Sequence, residues 1–502
     1  MKKDPIYSSF IVPILLAVIV VDFRVSFHKF LQEYRFTYLA LYHAIKEAIA
    51  TGALHHGMKL PSSRELAGLH QISRGSVNQV YDMLVADGYV VSEVGRGTFV
   101  TFQVNHELPL EKAETPLQLS NWGERICRMP LRKQIEEGSP IKVDFRIGRT
   151  DYHQFPFQEW NRFMYAEVRN FLAKQHEEAN VAQGHLPLRE AIAVHLRRTR
   201  GIPAKADRIV VCNGSMQVIT LLAQLLVNPG DPVIVEEPSF TGIKKAIAST
   251  GGVPSPVQVD KFGIQVHDWK SRLLFVTPSR HFPTGSVLSQ DRRRQLLDWA
   301  SRQGSIIVED DYDSEFRWGG RPVEPLKALD QEDRVAYVGT FTKTMLPDLR
   351  IGYAVLPKCL VEPMIRAKQL FEPHPSNMME QRALAAFMKS GHYERHIRRM
   401  NRVYGKKYAL YHQMLQENMG SLFTFLQSDA GLHIYSVWKR TEDEYIRLRT
   451  ACRQKGVIWE DATTYFMRPP ASAACFGFSH LNEEEMKEGI RLVLEEWESI
   501  ST

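Results

Sequence analysis

The sequence predicts an α/β chain in two parts: an N-terminal winged helix-turn-helix and a much larger domain with a parallel-rich sheet and a smaller C-terminal α+β lobe. Three observations predict it. At 502 residues the chain is too long for one small module, because domains usually span about 100–200 residues. Between residues 36 and 101, apolar residues at helical spacing give way to two short β-runs hinged on glycines. From residue 141 onward, β-runs alternate with helix-length segments, the pattern of parallel strands with covered faces. A content of 44% hydrophobic and 24% charged residues is ordinary for globular chains and excludes a disordered tail or a disulfide scaffold. The net charge of +6 is too small to mark a nucleic-acid partner by bulk charge, so any basic patch is local. Five cysteines (Cys127, Cys212, Cys359, Cys452 and Cys475) without a CxxC pair suggest neither bridges nor a metal site. A reducing cytoplasm is the expected location.

Residues 1–35 read as an extension. Lys2 and Lys3 precede an apolar run from Phe10 to Val21, a layout like that of a signal peptide. The run contains Pro13, stops at Asp22 and falls short of the ~20 residues that span a bilayer. It is read as a packed extension with no function of its own, and no membrane partner is expected.

Residues 36–101 come next. Leu41, Ile45 and Ile49 set a helix over Tyr38–Ala50, which Gly52 ends. Ser62 or Ser63 can cap a short helix through Leu69, and Ser73 can cap a second from about Gly75 to Asp87. His70 to Ile72 make the turn between them. After Gly88, "YVVSEVGRGTFV" reads as a wing hinged at Gly95 and Gly97 with Arg96 at its tip. In such a unit the second helix enters the major groove with its first residues facing bases and phosphates. Ser73, Arg74, Gly75 and Asn78 occupy that end, and Arg64 and Arg96 can fork onto phosphate oxygens. Five basic and five acidic residues leave the stretch neutral, which also suits a dimerisation module, but that reading leaves the placement of "SRG" and "GRG" unexplained.

The stretch resembles the GntR-family winged helix through Leu60, Pro61, Ser62, Arg64, Leu66, Ala67, Ser73, Arg74, Val77, Tyr81, Leu84, Gly88, Tyr89, Gly95, Gly97, Thr98, Phe99 and Val100. The resemblance implies double-stranded operator DNA as partner, with contacts from Arg64, Arg74, Asn78 and the Gly95–Gly97 wing. Gly75 stands where the family usually has a polar residue.

Residues 102–140, with scattered charge and Pro109, Pro116 and Pro130, read as a linker. In residues 141–502, "RIVVCNG", "DPVIVEEP", "LLFVTPS", "SIIVEDDY" and "RVAYVGTF" read as strands and 215–228 and 288–303 as helices. Ligands of such sheets bind at the carboxyl ends of the strands. Lys343, in "GTFTKTMLPDLRIGY", sits there with Thr340, Thr342 and Arg350 nearby. Taken alone it reads as an exposed loop lysine; with its surroundings it reads as a Schiff-base lysine beside a phosphate site. Gly214 and Ser215 open a helix after a strand, which suits a phosphate. Asp310 can hold a pyridinium nitrogen, Tyr312 can reach a ring hydroxyl, and Phe240 offers a stacking face. Together these are the parts pyridoxal phosphate requires.

This domain looks like a fold-type I, class I aminotransferase, and with the winged helix the chain resembles the MocR/GabR-like subgroup of GntR regulators. The resemblance implies an internal aldimine at Lys343, phosphate contacts from Thr340, Arg350, Gly214 and Ser215, and ring contacts from Asp310, Tyr312 and Phe240. Departures are Phe282 where transaminases have an asparagine, Arg280 and His281 within the subgroup's "SHQFP", Ala179 in place of a tyrosine, and no arginine in "AACFGFSH". Arg468 is the nearest substitute. A transcriptional regulator sensing an amino compound or the cofactor itself, as a homodimer, is the expected function. An active aminotransferase with an appended DNA-binding domain is the main alternative, and a cofactor-free scaffold the third; chemistry limited to aldimine exchange or partial transamination fits the departures. The basic stripe Arg395, Arg398, Arg399, Arg402 and Lys406 reads as a solvated or subunit-bridging helix face.

Overall fold

The computed structural model describes residues 25–102, 117–130, 140–173, 181–319, 323–468 and 471–501. The apolar run from Phe10 to Val21, Ala179 and most of the expected linker lie outside the described residues. Two compact units divide between Gln118 and Leu119.

The first unit begins with α1 (Phe27–Glu33), inside the stretch expected as an extension, and Phe27 and Phe30 join the same core as α2 (Thr37–Ala50). α3 (Ser63–His70) starts at Ser62, whose hydroxyl accepts from the Glu65 amide while Glu65 returns a bond to the Ser62 amide. That reciprocal cap selects Ser62 over Ser63. Gln71, at φ +54°, turns the chain, and Ser73 caps α4 (Arg74–Ala86). The antiparallel wing strands are β1 (Val90–Glu93) and β2 (Gly97–Val100), with Glu93 opposite Gly97.

The second unit opens with α5 (Asn121–Cys127), which corrects part of the linker expectation. It packs on its own unit: Arg125 donates to the Ser249 carbonyl, and Lys245 to that of Pro130. Then come β3 (Val143–Phe145), α6 (Phe157–Ala173), α7 (Leu186–Arg200), β4 (Ile209–Cys212), α8 (Ser215–Leu226), β5 (Pro232–Glu237), α9 (Thr241–Thr250), β6 (Val253–Asp260), β7 (Gly263–Ile264) and β8 (Leu273–Val276). They are followed by α10 (Gln290–Gln303), β9 (Ile306–Asp311), α11 (Leu326–Leu329), β10 (Val335–Thr340), β11 (Gly352–Val355), α12 (Lys358–Phe371) and α13 (Met378–Lys389). Eight strands pair in the order β4-β11-β10-β9-β8-β5-β6-β7. β5, β6, β8, β9 and β10 run parallel; β11 runs against β10 and β4, so β4 points the same way as β10. The five strands expected from sequence are all present. Their alternate residues serve opposite faces: Val210, Val308 and Val338 share a cluster with residues of α8, α9 and α12, while Ile307 and Val335 pack with residues of α10.

The chain continues through α14 (His392–Met419), β12 (Phe423–Phe425), β13 (His433–Trp438), α15 (Glu442–Gln454), β14 (Val457–Asp461), β15 (Ala473–Gly477) and α16 (Glu483–Ser501). The smaller sheet has the order β12-β13-β15-β14-β3, so a strand from the start of the domain completes the C-terminal lobe. The stripe on α14 is exposed opposite a face that buries Tyr393, Ile397, Met400, Tyr404 and Tyr408. Among the described residues no helix is long and apolar enough to cross a membrane.

Candidate cofactor site and DNA-binding face

Register places the candidate residues of the large unit along one sheet edge. Cys212 pairs with Gly352, and Gly352 with Thr340, so the turn after β4 and the end of β10 lie on either side of β11. Gly214, at φ +83°, turns the chain into α8, whose first amides point out of the sheet edge. Two close approaches shape this cradle. A Cβ on Gly214 would lie 2.8 Å from Nη2 of Arg350, and one on Gly352 would lie 2.5 Å from the Gly214 carbonyl carbon. A helix N-terminus, Ser215 and a guanidinium thus converge where an anion of phosphate size would sit. Thr340 lies at the same edge, its hydroxyl 2.9 Å from that of Thr342.

Asp310 and Asp311 end β9 on opposite faces. Asp311 is matched: its Oδ2 accepts from Arg200 at 2.5 Å and from the Tyr337 hydroxyl at 2.7 Å. Asp310 is buried, and its Oδ1 has no hydrogen-bond partner among the described residues. Burial, helped by the neighbouring Asp311 and Asp313 carboxylates, pushes its carboxyl up to about 7. A buried acceptor without a donor is costly, and a protonated ring nitrogen would satisfy it. Lys343 Nζ donates to the Gly148 carbonyl at 2.9 Å. Tyr312, Phe282 and Phe240 meet edge-to-face in sequence, with centroids 5.7 and 5.8 Å apart. Phe240 keeps 36% of its surface exposed, enough to stack on a planar ring. An amine, an unsatisfied carboxylate, an anion cradle and an aromatic platform together suit a phosphorylated pyridine aldehyde.

Two contributors carry little sequence signal. Gly148 is a lone glycine in the loop after β3, brought to Lys343 only by the fold. Arg280 stands out in sequence as a departure, yet only the structure shows its buried contacts to Tyr312, Asp313 and His433. Arg468 is exposed in the loop before β15, and its amide donates to Glu237 Oε1 at 3.2 Å.

In the first unit, α4 buries Val77, Val80, Tyr81 and Leu84 and leaves Arg74, Gly75 and Asn78 exposed. The Ser73 hydroxyl accepts from the Ser76 amide at 3.0 Å and is 2.8 Å from the Ser76 hydroxyl, so much of its hydrogen-bonding capacity serves the cap. Arg74 Nε donates to Ser63 Oγ at 3.3 Å, which joins the first turns of α4 and α3; Arg64 is exposed on that same α3 turn. Between Gly95 and Gly97, Arg96 is exposed and pairs with Glu93 at 2.6 Å. Lys59, which pattern reading passed over, forms a β-bridge with Phe99 and lays its stem against Gly97, adding a cation to the wing.

Residues 37–100 match the family described as bacterial regulatory proteins, gntR family, and residues 141–491 match aminotransferase class I and II. The probable rhizopine catabolism regulatory protein MocR of Rhizobium meliloti is 33% identical over 460 residues, covering 90% of this chain and 91% of that protein. The chain belongs to the MocR-type GntR family. A second relative of this MocR-type chain, the uncharacterized HTH-type transcriptional regulator YdeL of Bacillus subtilis, is 31% identical over 92% of this chain and 96% of that protein. The MocR-type large unit has the aminotransferase fold: kynurenine aminotransferase of Pyrococcus horikoshii superposes with a TM-score of 0.66 at 24% identity, over 77% of this chain and 96% of that one. Pyridoxal phosphate is the cofactor of this domain family, and the Asp310 carboxylate and the Gly214–Arg350 cradle suit its ring nitrogen and phosphate.

Proposed function

We propose that this chain is a pyridoxal-phosphate-dependent transcriptional regulator. Its winged helix binds double-stranded operator DNA, and its large unit senses an amino compound, or the cofactor itself, through Lys343. The observation that carries the reading is the buried Asp310 oxygen, without a partner among the described residues, set at the same strand ends as Lys343 and the Gly214–Arg350 cradle. Bound there, pyridoxal phosphate supplies an electrophilic carbon that exchanges one amine for another. The chain's own groups do the holding. α8 amides, Ser215, Thr340 and Arg350 take the phosphate; Asp310 keeps a proton on the ring nitrogen; Tyr312 donates to the ring hydroxyl; Phe240 covers one face. Lys343 would be the amine that joins the cofactor to the chain.

On the DNA side, Arg64, Arg74, Asn78 and the Gly95–Gly97 wing with Arg96 are assigned to phosphate and base contacts, and Ser73 to the helix end that presents them. A homodimer in the cytoplasm, reading two half-sites, completes the proposal. The test is visible absorption of purified full-length protein, before and after a panel of amines and amino acids. A covalent chromophore that amines change without sustained turnover supports regulation. Steady conversion of an amino donor and a keto acid favours the aminotransferase alternative, and absence of any chromophore after loading rejects the cofactor role.

A further inference from the structure

Arg280 is a buried cation that the cofactor reading leaves without a task. Its side chain is 3% exposed in the loop after β8. Nε donates to the Ala430 carbonyl at 3.0 Å, Nη1 to the Tyr312 hydroxyl at 2.7 Å and to Asp313 at 3.2 Å, and Nη2 to the His433 carbonyl at 3.1 Å. Gly431 is shaped around it, since a Cβ there would lie 2.2 Å from the guanidinium carbon. With its donors committed in this way, Arg280 is not a seat for a ligand carboxylate. Among the described residues, the candidate-site group to which it donates is the Tyr312 hydroxyl.

A guanidinium can only donate, so the Tyr312 oxygen accepts from Arg280 and must send its own proton elsewhere. The rings of Phe282 and Phe240 on that side offer no acceptor, and none for this proton is found among the described residues. Burial pushes the Tyr312 hydroxyl well above its ordinary range while Arg280 pulls it back, and the phenol remains a neutral donor. Among the described residues, the other groups facing Arg280 are Asp313, His433, Cys475, His281, Tyr408 and Arg317. Burial and the Arg280 charge keep His433 neutral, and the Lys343 ammonium is close enough to act on both Asp313 and His433.

We propose that Arg280 is a positioning residue: by donating to the Tyr312 hydroxyl it holds that phenol as a one-way donor to the cofactor's ring oxygen, at an edge where Phe282 has no donor to give. The inference rests on the cofactor reading above. A donor on the ring oxygen draws off the negative charge that would otherwise hold a proton on the nitrogen joining Lys343 to the cofactor. That nitrogen therefore loses its proton at lower pH while Arg280 is in place.

The test is a pH titration of the visible absorption of full-length protein loaded with pyridoxal phosphate. Tyr312→Phe, which leaves the Arg280–Asp313 pair intact, is expected to raise the midpoint by about one pH unit, and Arg280→Met by a similar amount. Arg280→Lys should fall between them and the parent. In the Tyr312→Phe background the Arg280 substitutions should add little, because their route to the cofactor is gone. A midpoint unmoved by Tyr312→Phe overturns the inference. So does an Arg280→Met shift that persists at full size without the Tyr312 hydroxyl, since the bared Asp313 charge would then be its cause. Should Arg280→Met fail to fold, Arg280→Lys in the two backgrounds decides the same point. A parent protein that forms no chromophore would instead reject the cofactor reading itself.

Discussion

Asp310 and Asp311 are adjacent, both buried, and opposite in electrostatic circumstance. Arg200 and Tyr337 satisfy Asp311, whereas Asp310 Oδ1 has no hydrogen-bond partner among the described residues, and burial with the Asp311 and Asp313 charges disfavours its carboxylate. Its carboxyl, pushed up to about 7, holds its proton more tightly in the folded chain than in the unfolded one, where about 3.9 is usual. The stability this group contributes is therefore present below about pH 4 and is lost as pH rises through 7. Asp310→Asn stays neutral throughout. Cofactor-free Asp310→Asn is expected to be more stable than the cofactor-free parent at pH 8, by ~1–3 kcal/mol, and indistinguishable from it near pH 4, as followed by thermal melting. The same variant should retain cofactor less well, which dialysis and absorption would measure. Lys343→Ala should lose the covalent chromophore altogether, and visible absorption of the loaded protein checks it; the Gly148 hydrogen bond lost with the amine is worth ~1 kcal/mol.

Elements set the precision of both candidate faces. β11 lies between β4 and β10, and Gly352 lets it pass against the turn into α8. Gly352→Ala must push that turn aside at a cost of ~1–3 kcal/mol, with a larger loss of cofactor affinity than of melting temperature, because the cradle itself is what moves. In the first unit, Ser73→Ala should cost ~1 kcal/mol of stability through the lost cap. Arg74→Ala should leave stability nearly unchanged and weaken operator binding by ~1–3 kcal/mol if it reads a base edge, or lower the salt slope by about one if it holds a phosphate. Binding isotherms at several salt concentrations separate the two. Unaltered affinity and salt dependence would reject the proposed docking face.

At the scale of the whole molecule, the proposed regulation requires that an effector at Lys343 and DNA at the winged helices favour the same or opposite arrangements of the two DNA-binding units of the proposed dimer. A coupling of ~1–3 kcal/mol is typical, and it is reciprocal: operator DNA should change effector affinity by the factor by which the effector changes operator affinity. Titrating an amine by visible absorption, with and without operator, measures it. Equal affinities for an amine that alters transcription would exclude this equilibrium coupling and direct attention to contact with another protein.

Much of this was already legible in the chain. The winged helix was readable because caps and glycine hinges are local: Ser62, Ser73, Gly95 and Gly97 act within a few residues of themselves. Strands ending at Cys212, Asp311 and Thr340 were readable because apolar runs buried on both faces stop where polar residues begin, and the strand ends of such a sheet collect the ligand-binding groups. The helix α5 carries little local signal because it is short, buries no residue fully and is tied to the unit by bonds between remote segments, from Arg125 to Ser249 and from Lys245 to Pro130 just beyond its end. β3 carries little for a similar reason, as three residues gain a sheet only by pairing with β14, more than three hundred residues away. Sequence alone determined which residue types stand at the strand ends. Tertiary structure decided which of two adjacent aspartates keeps an oxygen without a hydrogen bond among the described residues, that Gly148 faces Lys343, and that Arg280 reaches Tyr312, because burial and hydrogen-bond geometry are properties of surroundings assembled from remote segments.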